Sequence, residues 1–142
     1  MNKTLVAKQS ITINAPINIV WEALTNPAVL KQFMFGTEVV SDWKKGSPIV
    51  FKGVYEGKIY EDKGVILRVE PERVLQYSHF SPLSGLPDSP ENYHTVTFAL
   101  SDQGKRTSLS LSQDNNASEE EREHSEMFWG RMLSTLKEVL EK

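Results

Sequence analysis

The chain contains no cysteine. That excludes disulfides, thiol nucleophiles and thiolate metal sites, and it fits a reducing compartment, so a cytoplasmic location is expected. No apolar run approaches the roughly 20 residues of a membrane span. Met1 to Ser10 holds no apolar stretch of the kind a secretory signal requires. Excess positive charge is missing too. Sixteen Lys and Arg against nineteen Asp and Glu leave a net charge of −3, which argues against a nucleic-acid surface. There is no Gly-rich phosphate loop, no nucleophile elbow and no Ser/His/Asp order. What remains is ordinary globular material: 142 residues, 39% hydrophobic and 25% charged. That is the size of one domain, spanning 1–142, with a real core.

Periodicity gives the order of elements. Leu5 to Asn14 reads as a strand, stopped by Asn14-Ala15-Pro16. Ile17, Val20, Trp21 and Leu24 then recur at helical spacing, with Pro16 suited to a first turn. Thr25-Asn26-Pro27 breaks that helix and opens a second, through Leu30 and Phe33 to Gly36. From Thr37 the period becomes two. Strands are predicted at about Thr37 to Ser41, Pro48 to Tyr55, Lys58 to Val69, Val74 to Phe80, Tyr93 to Leu100 and Thr107 to Gln113. Turn residues such as Lys45-Gly46 and Glu56-Gly57 separate them. Ser81 to Asn92, with three prolines and Gly85, reads as an extended hairpin loop, expected as a mobile lid over a cavity mouth.

The strongest helix signal runs from Ser118 to the C-terminus. Ser118 and Glu121 form a capping-box pair, and Glu119, Glu120 and Glu123 suit the positive end of the helix dipole. At 100° per residue Trp129, Leu133, Leu136 and Leu140 fall on one line, flanked by Met132, Val139 and Phe128.

Four stretches carry a family resemblance: Ile13-Asn14-Ala15-Pro16 with Val20-Trp21-Glu22-Ala23-Leu24-Thr25; Trp43-Lys44-Lys45-Gly46-Ser47-Pro48; Gly64-Val65-Ile66-Leu67-Arg68-Val69-Glu70-Pro71; and Phe128-Trp129 with Leu133, Leu136-Lys137 and Leu140-Glu141. In this order the chain resembles the START-like (SRPBCC) superfamily, and within it the branch named after the activator of the ninety-kilodalton heat-shock chaperone's ATPase. The resemblance implies an α+β helix-grip fold: a curved antiparallel sheet around a long C-terminal helix, with two short helices after the first strand. It implies a role in binding or in the stress response, and transfers no catalytic motif. In the last helix relatives often have Gly-Trp where this chain has Trp129-Gly130, which moves the glycine to another face.

In such a fold the core and the wall of a cavity are one surface. Phe33, Trp43, Phe51, Tyr55, Tyr77, Phe98, Trp129 and Met132 are therefore both core residues and candidate ligand contacts. His79 and His94 flank the long loop. In an antiparallel register with paired numbers summing to 173, Leu75 meets Phe98, Tyr77 meets Val96 and the two histidines become neighbours facing the helix. Two histidines are too few for a zinc site, so no metal and no cofactor are expected. His124 falls on the polar side of the last helix. Arg122 shares the angle of Trp129, so it either overhangs solvent or anchors an anion at a cavity mouth. Glu56, Glu61 and Asp62 lie on or beside strands, and their facing depends on the register set by the Glu56-Gly57 turn.

The leading functional expectation is non-enzymatic binding of a small apolar or amphipathic molecule between sheet and helix. The first alternative is a protein-interaction module whose partner is a chaperone. The second is an enzyme, a cyclase or hydrolase working through polar cavity groups. A continuous cavity distinguishes the first and third from the second.

Overall fold

The computed structural model describes residues 4–142, Tyr55 by its main chain alone. Strand β1 (Ala7–Ile13) leads through α1 (Ile17–Thr25) and α2 (Pro27–Phe33) into β2 (Glu38–Ser41), β3 (Pro48–Tyr55), β4 (Lys58–Glu70), β5 (Val74–His79), β6 (His94–Asp102) and β7 (Thr107–Gln113), and ends in α3 (Glu119–Leu140). The expected order of elements is therefore present, with boundaries shifted by one or two residues. The seven strands form one antiparallel sheet in the order β1-β7-β6-β5-β4-β3-β2. The two short helices carry the chain from one edge of the sheet to the other. The strands then meander back until β7 meets β1.

Local chemistry sets the helix ends. Asn26 accepts a hydrogen bond from the Ala28 N–H at 3.0 Å, and Pro27 occupies the first turn of α2. Val20, Ala23 and Leu24 of α1 and Leu30 and Phe33 of α2 are buried. In β4 the glycine at position 64 is required by the sheet itself. A Cβ there would lie 1.6 Å from the Ser78 carbonyl oxygen, so the close approach of β4 to β5, next to the irregularity between Ile66 and Arg68, excludes any side chain.

The last helix is seated by its apolar stripe and by its flanks. Trp129, Met132, Leu133 and Leu136 are buried in the main cluster with Ile13, Leu109, Leu111 and Phe98. Along one flank α3 closes the free edge of β1. Glu126 accepts from the Lys8 N–H at 3.0 Å, Glu141 from the Asn14 N–H at 2.8 Å, and the Lys137 ammonium donates to the Thr12 carbonyl at 2.9 Å. These backbone bonds, with Arg122 beside Glu126 and Lys137 beside Glu141, hold both carboxyls below the usual glutamate range. A lowered folded value stabilises above the ordinary glutamate pKa, and that contribution is lost as the pH falls through the folded one. The reversed Trp129-Gly130 pair takes its meaning here: Trp129 faces the sheet, while Gly130 faces β1, where a Cβ would come within 3.1 Å of the Gln9 amide nitrogen.

The segment 81–92 corrects an expectation. It contains two short 3-10 turns, and its second half lies beside the outward-facing Val65, Leu67 and Ser78, on the convex side of the sheet. The Phe80 and Tyr93 rings stack at 5.2 Å, Tyr93 donates to Asp88 at 2.6 Å, and Asp88 pairs with Lys63. Lys63, Phe80 and Tyr93 are sequence neighbours of the inward-facing Asp62, His79 and His94 and so point outward. This position does not cover the helix side of the sheet. The residue parity of the flanking strands decided it, since Phe80 and Tyr93 alternate with the inward-facing His79 and His94.

Truncating Leu136, which is fully buried, to Ala is expected to cost about 2–5 kcal/mol in urea denaturation. A loss below about half a kcal/mol is what an exposed position gives, and would mean that α3 is seated elsewhere.

Candidate functional site

The concave face has an apolar zone and a polar one. Buried residues reveal which side of each strand points inward: Ile49 and Phe51 in β3, Ile66 in β4, Leu75 and Tyr77 in β5, Val96 and Phe98 in β6. With side chains alternating along each strand, Tyr60, Asp62, His79 and His94 share that face.

The apolar zone lies between α2, the β2–β3 connection and the centre of the sheet. Leu30, Met34, Trp43, Phe51, Tyr77 and Phe98 are among the side chains around a void of about 10 Å³. A space of this size takes about one water molecule, so the interior is almost filled. Two features stand out in it. Trp43, half-buried at the rim, has its backbone in the left-handed region at φ 57°, a conformation that bulky residues rarely adopt. Tyr77 is 3% exposed and lines this void. Burial alone pushes the phenol well above the ordinary tyrosine range.

The polar zone is a row across β4, β5 and β6 that ends at the start of α3. Leu75 pairs with Phe98, Tyr77 with Val96 and His79 with His94, the register expected from the apolar pattern. The two imidazoles stack at 6.5 Å with 29° between planes. His79 Nε2 lies 3.0 Å from Asp62 Oδ2, and because a carboxylate only accepts, the ring donates there. His94 Nδ1 donates to the Asp114 carbonyl at 2.8 Å, and its Nε2 lies 3.6 Å from Glu121 Oε1. Glu121 is held in turn by the N-terminus of α3. Its own N–H donates to Ser118 Oγ at 3.1 Å, and its Oε2 accepts from the Ala117 N–H at 3.0 Å. Asp62 Oδ1 is sealed from solvent without a hydrogen-bond partner, and an empty acceptor of this kind costs about 1–3 kcal/mol. Phe51 joins the zones, 5.4 Å from the Tyr77 ring and 5.3 Å from the His79 ring. Among the described residues, no group of three or more His, Asp or Glu side chains is arranged to hold a metal ion.

The other candidates fall in different places. Phe33 and Met132 are core residues, and Trp129 packs edge-on against Phe98 while donating from its indole N–H to Gln113 Oε1 at 2.7 Å. Arg122 is not an anion anchor at a cavity mouth. Its guanidinium is engaged by Glu119 and by Glu126, beside β1. The i−3 and i+4 carboxylates on its own helix face capture it first. The Tyr55 side chain lies outside the described residues. His124 is exposed, as its helical angle predicts. Asp62 and Glu121 were not singled out as contacts by the sequence. The alternation Tyr60, Asp62, Gly64, Ile66 contains the facing of Asp62, provided that Ile66 is taken as the inward marker.

The Tyr77 phenol links stability to alkaline pH. The unfolded chain releases this proton near pH 10, whereas the folded chain retains it. The unfolded state then binds fewer protons, so stability falls as pH rises above that value, by about 1.4 kcal/mol per pH unit for one group. Urea denaturation between about pH 9 and pH 11 should show this slope in the parent chain and its loss in Tyr77→Phe. Equal slopes in both would mean that the phenol is not shielded.

A solution structure of a protein from Cytophaga hutchinsonii is 56% identical, with a TM-score of 0.86 over 99% of this chain and 97% of that one. A Nitrosomonas europaea protein is 22% identical with a TM-score of 0.77, covering 99% and 97%. The Aha1 dimer from Colwellia psychrerythraea is 19% identical with a TM-score of 0.72, covering 95% of each chain. The last two establish likeness of fold alone. No protein of curated function matches. The profile described as "Activator of Hsp90 ATPase homolog 1-like protein" matches residues 14–141. With nearly the whole chain matched and the helix-grip sheet and helix in place, this protein belongs to the activator of Hsp90 ATPase homolog 1-like family.

Proposed function

We propose that the chain binds a small, mainly apolar or amphipathic molecule on the concave face, its apolar body in the zone of Tyr77 and its polar end towards His79 and His94. Family membership supports a ligand-binding type of domain in general. The observation that carries the reading is the juxtaposition on one face: a void with largely apolar walls, Tyr77 among them, joined through Phe51 to the polar row of His79 and His94. The Tyr77 hydroxyl at this void is a donor that an incoming acceptor can engage. The void is too small for any ligand larger than water, so binding requires its rim to open. Met34 is half-buried and flexible by chemistry, and Trp43 carries a strained backbone at the same rim. Movement of these two residues enlarges the space without breaking the sheet.

The test compares phenol with benzene by amide chemical-shift titration. Shifts should concentrate at Met34, Trp43, Tyr77 and Phe98 for both compounds. Tyr77→Phe should weaken phenol by about 2- to 10-fold, the worth of one hydrogen bond, and leave benzene nearly unchanged. Shifts confined to the surface would refute the site.

A second reading, a protein-interaction module with a chaperone as its partner, is favoured by the filled interior together with an exposed apolar group. Phe35 is 55% exposed, Met127 67% and Phe128 48%, and the rings of Phe35 and Phe128 meet at 5.9 Å. On this reading the chain stimulates the ATPase of the ninety-kilodalton chaperone, and Phe128→Glu removes most of that stimulation while leaving the thermal midpoint within a few degrees, as surface substitutions do. A chaperone ATPase rate unchanged by the parent chain would remove this reading.

A further inference from the structure

The polar row has an unusual balance of hydrogen-bonding groups. In the neutral His79 ring, Nε2 carries the proton given to Asp62, which leaves Nδ1 as an acceptor. In the neutral His94 ring, Nδ1 carries the proton given to the Asp114 carbonyl, which leaves Nε2 as an acceptor 3.6 Å from another acceptor, Glu121 Oε1. Asp62 Oδ1 is a third acceptor, sealed from solvent and unpartnered. The hydroxyl of Tyr60, the polar group of β4 next along the face from Asp62, is already bonded to the Thr37 hydroxyl at 2.7 Å. The row therefore presents open acceptors, two of them on carboxylates.

Nor is that charge neutralised by a strong base. Among the described residues the ion-pair partners of Asp62 and Glu121 are histidines alone, His79 for the first and His94 for the second. The lysine nearest in sequence, Lys63, points to the convex face and pairs with Asp88. The side chains involved are mostly buried, with 14% of Asp62, 26% of His79 and 16% of His94 exposed, so water screens the charge only in part. Aromatic walls are close at hand: Phe51 meets His79 edge-on at 5.3 Å, and the stacked histidines offer their own ring faces.

We infer that the row of Asp62, His79, His94 and Glu121 selects a hydrogen-bond-donating, cationic head group: a primary alkylammonium. This inference rests on the proposed binding on the concave face and adds the chemistry of the ligand's polar end. An ammonium has three donors and no acceptor. It supplies the donor that Asp62 Oδ1 lacks, and at the other end of the row an N–H suits the facing acceptors His94 Nε2 and Glu121 Oε1. A carboxylate head finds only acceptors and like charge. A hydroxyl supplies a single donor and no charge.

The experiment uses three eight-carbon probes with different heads: octylammonium chloride, octanol and sodium octanoate, each titrated into the whole chain at neutral pH and followed by amide and imidazole chemical shifts. Octylammonium should bind about tenfold tighter than octanol, the ratio that a charged hydrogen bond adds, with octanoate the weakest. Its shifts should centre on His79, His94 and residues 60–64. Asp62→Asn should reduce the preference for amine over alcohol to about threefold or less. Because an inward substitution can disturb the sheet, Glu121→Gln at the half-exposed end of the row is the second variant, and it should lower the same ratio more modestly. Octanol or octanoate binding as tightly as the amine in the parent chain overturns the inference while the concave-face reading stands, and so does a ratio unmoved in both carboxylate variants. No interior shift with any of the three overturns the inference and that reading together.

Discussion

The turn that joins β7 to α3 is held by two buried amides, and the placement of the long helix depends on them. Asn115 adopts a left-handed backbone at φ 59° and donates from its side chain to the carbonyls of Glu91 at 2.8 Å and Tyr93 at 2.9 Å. Asn116 donates to the carbonyls of Leu5 at 2.8 Å and Gln113 at 3.0 Å, while its Oδ1 accepts from Gln113 and from Ser125. Gln113 then receives the indole N–H of Trp129. One short turn thus ties together the chain before β1, the entry to β6, the end of β7 and the first turns of α3. Asparagine suits both tasks, tolerating the left-handed region and offering a donor and an acceptor from one short side chain. With that turn in place, the Trp129–Leu136 stripe meets the sheet, and Glu126 and Glu141 reach the edge of β1.

The same turn assembles the polar row. Asp114, immediately before the asparagines, fixes His94 through its carbonyl and the Thr95 N–H through its carboxylate at 2.6 Å. Glu121, three residues beyond the helix cap, comes to the other side of the same ring. Helix capping and site geometry share these groups, so the orientation of His94 follows from how α3 begins. The apolar zone is governed instead by packing from the opposite edge, where α2 and the left-handed Trp43 close over Phe51 and Tyr77. The nearly filled apolar interior, lined by Tyr77, lies next to a row of acceptors, and these are the surroundings that the proposed amphipathic guest would meet on displacing the rim side chains.

Much of this was legible in the chain before any coordinates. The period-two runs and their turn residues located the strands, the 173 register followed from matching apolar positions, and Ser118 with Glu121 marked where the last helix begins. The misplacements share a cause. Arg122 shares the angle of Trp129 but has carboxylates at i−3 and i+4, and those local partners outweighed a distant role. Segment 81–92 was expected over the cavity from its prolines and Gly85, yet Phe80 and Tyr93 at its ends are outward neighbours of His79 and His94 and carry it to the convex face.

What the sequence by itself determined is the periodic part: helix or strand, the buried stripe of α3, and the pairing that brings His79 to His94. Each rests on spacing along the chain, where a one-residue slip exposes a whole apolar face. Only the tertiary structure decided the size of the interior, the inward facing of Asp62 beside an unfilled acceptor, and the buried roles of Asn115 and Asn116. Those depend on how side chains from segments far apart fill a shared volume and meet one another's hydrogen-bonding needs, and no local period along the chain encodes that.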